Sequence, residues 1–358
     1  MFCPKCGSSG NDNAGFFGKR GAAVKRNAPV EASGASAVAG TDAVLVNLKP
    51  WTRAAACVAV IAAIAIALFS LSGCGGSDTK ASGSSGSSSS SSAEPVSTKS
   101  VDDYSWGELS EISEEISKEA TEEGAIEVAR KYNLVNSNGE LDGTQTKTVQ
   151  LTDGTTATVQ IAGFLHDDKA DGGKAGITFI FKDAIAEHDM NPGRIDPYHP
   201  HEDPEGSNAG GWEGSAMRAW LSAEGISMLP SDLTDRIVAV DKKTNNVGET
   251  QSVASVTTTS DKLWLFSPTE ISRFDKDKRA YEIGSAEGTE YKLFRDCNVG
   301  LNHDYQFLEK DGWWWLRSPD SGNDQDFWCV AHEFISDSWA LDMDSAVDVC
   351  GVVPGFCI

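Results

Sequence analysis

The feature that most constrains this chain is an uncharged apolar run, Ala54 to Leu71. At about 1.5 Å rise per residue it gives roughly 27 Å of helix, enough to cross the hydrocarbon of a bilayer. Lys49 and Arg53 lie just before it, and nothing charged interrupts it. The serine-rich segment and acidic domain that follow carry no comparable basic flank. The positive-inside rule therefore keeps residues 1–53 in the cytoplasm and sends the chain after Ser72 outward. A buried core helix is the alternative, but the flanks read as connector and tether rather than as a domain able to wrap one. The expectation is a single-pass protein of the cell membrane, N-terminus cytoplasmic and C-terminal domain extracytoplasmic, with the lipid bilayer as its first partner.

Charge agrees with this orientation. The first 53 residues hold seven basic and three acidic side chains, a net of +4, while the whole chain is −23, leaving −27 for the rest. A basic arm is favoured beside anionic lipid, and an acidic outer domain is repelled by it. The acidic excess also excludes a nucleic-acid partner, because backbone binding needs clustered Lys and Arg.

Leu71-Ser72-Gly73-Cys74 resembles a bacterial lipobox, which makes Cys74 a lipidation candidate. The 53-residue arm ahead of the run is longer than a signal peptide's charged region, so an uncleaved signal anchor and a processed lipoprotein both stay open. At the other end, Cys3-Pro4-Lys5-Cys6-Gly7 resembles the first knuckle of a bacterial zinc ribbon. Tetrahedral zinc needs two further ligands, and Phe17 and Arg20 stand where the resemblance would place them. Cys3 and Cys6 are thus an incomplete zinc knuckle: a decayed arm, or half of a site shared by two chains.

Composition divides the chain as follows: a zinc-ribbon-like arm (1–21), a flexible cytoplasmic connector (22–53), the anchor helix (54–73) and a Ser/Gly-rich tether (74–100). An N-terminal helix and connector (101–145) then precede the main domain (146–358). A helix is expected over Glu108–Tyr132 with Leu109, Ile112, Ile116, Ala120, Ala125 and Val128 inward. Thr146–Phe164 reads as two strands around the turn Asp153-Gly154, and Ala175–Lys182 as a third. Short helices are expected in Trp212–Ala223, after Pro230 and after Ser267. Strands are expected at Ile237–Val240, Ser252–Thr259, Lys262–Phe266, Trp313–Leu316, Phe327–Ala331 and in Ala346–Ile358. Interleaved short helices and antiparallel strands define an α+β class, one mixed extracytoplasmic domain plus one transmembrane helix.

Four ordered motifs carry a resemblance. Gly211-Trp212-Glu213-Gly214-Ser215-Ala216-Met217-Arg218-Ala219-Trp220-Leu221, Asp261-Lys262-Leu263-Trp264-Leu265-Phe266-Ser267, Trp313-Trp314-Trp315-Leu316-Arg317-Ser318-Pro319 and the terminal Gly351-Val352-Val353-Pro354-Gly355-Phe356-Cys357-Ile358 resemble the bacterial family called domain of unknown function 6273. The resemblance implies an architecture displayed on surface proteins and no particular activity. A looser resemblance, to the C-type-lectin-like fold, implies paired first and last strands with long loops at a ligand site.

Candidate sites follow from residue chemistry. The tryptophans are core or sugar-stacking platforms; Trp339, read as lying in a loop, is the exposed candidate. Arg218 and Arg317 suit either buried ion pairs or recognition of a carboxylate or phosphate. His199 and His201, beside Glu202 and Asp203, are weaker ligand candidates. Asp320, Asn323, Asp324 and Asp326 offer oxygens to calcium, or form a solvated loop. Cys297, Cys329, Cys350 and Cys357 allow two disulfides or serve as small buried hydrophobes. Without a recognisable catalytic constellation, the expectation is a surface-exposed, noncatalytic recognition module for a cell-envelope glycan or surface protein. The alternative is an envelope glycan hydrolase using paired carboxylates.

Overall fold

The structure, a computed structural model, describes residues 97–195, 198, 205–272, 281–298, 313–333 and 338–358. The zinc-knuckle arm, the apolar run, Cys74, most of the tether, His199 and His201 lie outside the described residues. Among the described residues no helix is long and apolar enough to cross a membrane.

Two helices open the domain, α1 (Trp106–Ile116) and α2 (Glu122–Lys131). The expected continuous helix is therefore broken. Ser105 caps α1 in a capping box with Glu108, and the helix starts at Trp106, two residues ahead of the start that periodicity suggests. Thr121 accepts from the Gly124 N–H and restarts the chain as α2. The interruption leaves Ala120 exposed, while Leu109, Ile112, Ile116, Ala125 and Val128 remain inward as expected.

The first sheet contains β1 (Thr146–Gln150), β2 (Thr156–Phe164), β3 (Ile177–Phe181), β12 (Pro354–Cys357) and β7 (Trp264–Leu265), in that order, and is antiparallel. The second contains β10 (Ser338–Ser345), β9 (Asp326–Glu333), β8 (Trp314–Pro319), β11 (Cys350–Val352) and β4 (Ala186–His188), with β8 and β11 parallel. A separate ribbon pairs β5 (Val240–Asn245) with β6 (Val256–Asp261). Short helices fill the connections: α3 (Ala216–Trp220), α4 (Ser231–Thr234), α5 (Pro268–Ile271), α6 (Tyr281–Glu287) and α7 (Lys292–Asp296). The domain is thus α+β, with short helices and mainly antiparallel sheets.

Several boundaries differ from expectation. The segment before Val240 makes one bridge, Val238 to Cys357, and the true strand starts at Val240. Ser338–Ser345 forms a full strand, so Trp339 lies in β10 with its backbone opposite His332 rather than in a loop. The terminal strand pairs with β3 and β7, three places from β1, which is not the pairing of first and last strands that the lectin-like likeness implies. Consecutive strands β11 and β12 belong to different sheets, so the last residues of the chain join the two.

The core is aromatic. Phe179 and Phe356 stack across β3 and β12 at 5.4 Å, and Trp106 of α1 meets Phe179 edge-on at 5.5 Å. Such pairs each contribute about 0.5–1.5 kcal/mol beyond area burial. Every residue of β8 is buried, so both of its faces pack inside the domain, and Trp314 and Trp315 are core on opposite sides. Ser113 completes the docking of α1: its hydroxyl donates to the Ile358 carbonyl and accepts from the Ile177 N–H at 3.0 Å. Gly176 permits this contact, since a Cβ there would lie 1.9 Å from the Ser113 carbonyl oxygen.

Gly176→Ala should therefore destabilise the domain by about 1–3 kcal/mol, because α1 must move off the sheet. Urea unfolding of wild type and variant checks it. A midpoint unchanged within error would show that α1 does not dock as described.

Candidate functional site

The interior is organised by charge as well as by aromatic packing. Lys242 on β5 has its ammonium 2.8 Å from Asp167 Oδ1, 2.6 Å from Glu270 Oε1 and 3.0 Å from the Tyr291 hydroxyl. Those three acceptors match its three donors. The Tyr291 hydroxyl donates to Asp167 at 2.7 Å, and Thr178 donates to the other oxygen of that carboxylate at 2.7 Å. Arg317 on β8 pairs with Glu270 through both terminal nitrogens; Nε donates to Thr244 at 2.8 Å, and the two remaining protons are shared among the carbonyls of Leu265, Lys243 and Glu287. All of these ionic groups are buried.

Burial alone would raise the carboxylate pKa values, yet Lys242 and Arg317 hold Asp167 and Glu270 below the ordinary range. Glu287 is different. Burial pushes it up, with Arg317 and the hydrogen bonds from Ser318 and the Asn245 N–H only partly opposing the shift. Of the two roles that the sequence leaves open for Arg317, the structure shows the buried ion pair and not ligand recognition: its donors are spent inside the protein.

Beside this interior lies a surface cleft of about 330 Å³ between the α1–α2 turn, the end of β2 and the start of α7. The backbone is shaped to make it. Strand pairing between β2 and β3 slips at a bulge between Ile161 and Gly163, and Leu165 then takes φ +50°. That conformation is uncommon for a bulky residue and costs on the order of 1–3 kcal/mol. Bulges re-aim the side chains that follow them, and here His166 comes to line the cleft. Gly163 fits because a Cβ there would press the Tyr291 ring at 3.2 Å.

His166 stacks flat on Tyr291, ring centroids 3.7 Å apart. Its carbonyl accepts from Lys174 at 3.1 Å, while its ring nitrogens make no hydrogen bond among the described residues. Burial, aided by Lys242 and Lys174 and opposed by Asp167 and Glu270, holds its pKa below 6.5, so the imidazole is neutral near pH 7. Glu119, Glu122 and Glu290 share the lining with Lys174, Lys292 and Arg295. Arg295 engages Glu122, Lys292 lies 2.9 Å from Asp296, and Lys174 lies 2.8 Å from Asp168.

Among the described residues, none of the sequence candidates lines this cleft. Arg218 binds Asp261 at 2.7 Å, the same carboxylate that accepts from the Trp212 indole. In the loop read as either a calcium site or a solvated turn, the Asn208 Nδ2 amide shares its two protons among the carbonyls of Asp320, Asn323 and Asp326 at 3.2, 2.7 and 3.0 Å. Side-chain oxygens of Asp320, Asn323 and Asp326 accept from the loop's own amides. Asp324 shares that loop and gives its carbonyl to the Asn208 N–H. Among the described residues no three His, Cys, Asp or Glu side chains are grouped to hold a metal.

Among the described residues, Cys297, Cys329, Cys350 and Cys357 are present as thiols. Cys350 and Cys329 lie on β11 and β9 with β8 between them, two strand spacings or about 9.5 Å apart, beyond the reach of a disulfide. Cys357 contacts Thr178 and Asp167, and Cys297 donates to the Leu141 carbonyl at 3.6 Å. The alternative reading, small buried hydrophobes, fits Cys329, Cys350 and Cys357.

The model of the family described as domain of unknown function 6273 (DUF6273) matches residues 175–358, just over half of the chain. The chain belongs to that family. No curated protein and no solved structure matches it. The matched region begins just before β3, so β1 and β2 of the first sheet, α1, α2, Asp167 and His166 precede it. The cleft therefore joins a wall from the matched region, Thr289 to Arg295, to one from the chain before it.

Acid should weaken this domain, and the sign follows group by group. Asp167 and Glu270 have folded pKa values below their ordinary 3.8 and 4.5, so their stabilisation is complete above those values and lost as pH falls below them. His166, depressed from 6.5, adds a loss that starts as pH drops below that value. Glu287, raised from 4.5, acts in the opposite sense and blunts the fall. Urea midpoints at pH 5, 4 and 3, the window in which Asp167 and Glu270 begin to lose their stabilisation, should decrease in that order. A flat or rising series would contradict the assignment.

Proposed function

We propose that this member of the DUF6273 family is a membrane-anchored recognition module, displaying its folded domain outside the cell to bind a cell-envelope glycan or surface protein. The observation that carries the reading is the cleft beside His166. It is small, polar and mixed in charge, and it is built from the α1–α2 turn, the end of β2 and the start of α7. Its volume falls at the low end of small-ligand sites. The apolar run with its basic flank, and the serine-rich tether, supply the anchor and reach that such a display role needs. The looser lectin-like resemblance stays a part of this proposal only as an analogy of display.

The hydrolase alternative draws less support. Asp167, Glu270 and Glu287 are buried, and the first two are engaged by Lys242 and Arg317. Of the cleft carboxylates, Glu122 is held by Arg295. A glycosidase needs two accessible carboxylates facing one bond.

The test is co-sedimentation of the full-length chain, in detergent, with isolated bacterial envelope. Wild type should be retained, and Thr289→Trp, which fills the cleft from an exposed rim position, should lower retention at least tenfold with an unchanged unfolding midpoint. Equal retention of both proteins, or release of soluble sugar by wild type, would overturn the proposal.

A further inference from the structure

The cleft's charges bear on what it binds. Three carboxylates and three cations line it around a neutral imidazole, so the lining is electrically balanced. The chain beyond residue 53 nevertheless carries −27. A polyanionic ligand would meet repulsion from that surface, and a simple cation has the rest of the domain to choose from. A small ligand bearing both charges meets neither problem, and it alone uses both signs of the lining.

Individual groups assign its parts. Glu119 is exposed and, unlike Glu122, makes no ion pair among the described residues, so its carboxylate is open to an ammonium group. Lys174 gives one proton to Asp168 and one to the His166 carbonyl, which leaves its third for a carboxylate. Half-exposed Arg295 stands on the same wall as Lys292, adding positive charge there. In the same lining, His166 has two ring nitrogens with no hydrogen bond among the described residues, one a donor and one an acceptor in the neutral form. That pair complements an amide, which offers one carbonyl and one N–H. Tyr291, stacked on the ring and fixed by Asp167 and Lys242, holds the imidazole in place.

We propose that the cleft binds a zwitterionic peptide unit, its ammonium on Glu119, its amide on His166 and its carboxylate on Lys174. This rests on the recognition reading above and narrows the ligand from envelope material to its peptide chemistry. A free dipeptide and the peptide portion of an envelope polymer share that chemistry.

Titration calorimetry of the full-length chain with alanylalanine, N-acetylalanylalanine and alanylalaninamide tests it. The zwitterion should bind at least tenfold more tightly than either capped form. Glu119→Gln should erase the preference over the N-acetylated probe, and Lys174→Gln the preference over the amide, while His166→Ala should weaken all three. Competition of alanylalanine with envelope retention would assign the source to the polymer's peptide, and binding without competition to free peptide; both outcomes support the ligand class. Equal binding of the capped probes, or tighter binding of sodium glucuronate, would overturn it. If Thr289→Trp abolishes envelope retention and no peptide probe binds, the ligand class fails and the cleft stands. If retention ignores Thr289→Trp, the recognition reading itself has failed.

Discussion

The pairing of Glu270 with Arg317 and Lys242 is the interaction on which the rest of the structure depends. Arg317 comes from β8 of the second sheet, Glu270 from α5, Lys242 from the ribbon, and Asp167 from the chain leaving the first sheet. Four separate elements meet in one buried cluster. Two cations face two carboxylates that stay ionised, while Glu287, raised by burial, adds its charge least readily. Removing one partner would leave a buried charge uncompensated, a loss of about 3–5 kcal/mol. An arginine suits position 317 because a planar fork can grip Glu270 with two nitrogens and still reach three backbone carbonyls.

The cleft depends on that cluster through one side chain. Tyr291 accepts from Lys242 and donates to Asp167 on its inner end, and its ring carries His166 on the outer side. The strained turn at Leu165 brings His166 there, and the bulge at the end of β2 makes room for the turn. Interior electrostatics, backbone strain and the cleft wall are thus one continuous arrangement. It spans the boundary at which the family match begins.

Much of the fold could be read from sequence because it is written in local patterns. The turn at Asp153-Gly154, the alternation in Ile177, Phe179 and Phe181, and proline at the first turn of α5 each specify their elements without long-range help. The α1–α2 break is also local, written in Thr121 as a cap, but the apolar stripe runs through it and hides it. Strand β10 is hidden from the sequence because the acidic residues around Trp339 read as loop, whereas its pairing with β9 is what makes it a strand. The site was the least legible part. Its residues come from segments that become neighbours only in the fold, and Lys242 carries no sequence sign of burial. The one available signal was Gly163-Phe164-Leu165-His166-Asp167, a histidine and an acid directly after a strand that contains a glycine.

A double-mutant cycle on Arg317 and Glu270 tests the central claim most directly. Arg317→Met, Glu270→Gln and the double variant would be compared with wild type by urea unfolding at pH 7. Each single change should cost about 3–5 kcal/mol. The double change should cost clearly less than their sum, because no uncompensated charge of the pair remains buried. Losses that add to within about 0.5 kcal/mol would mean that the two residues do not act as one unit, and the account of how the sheets are held together would be contradicted.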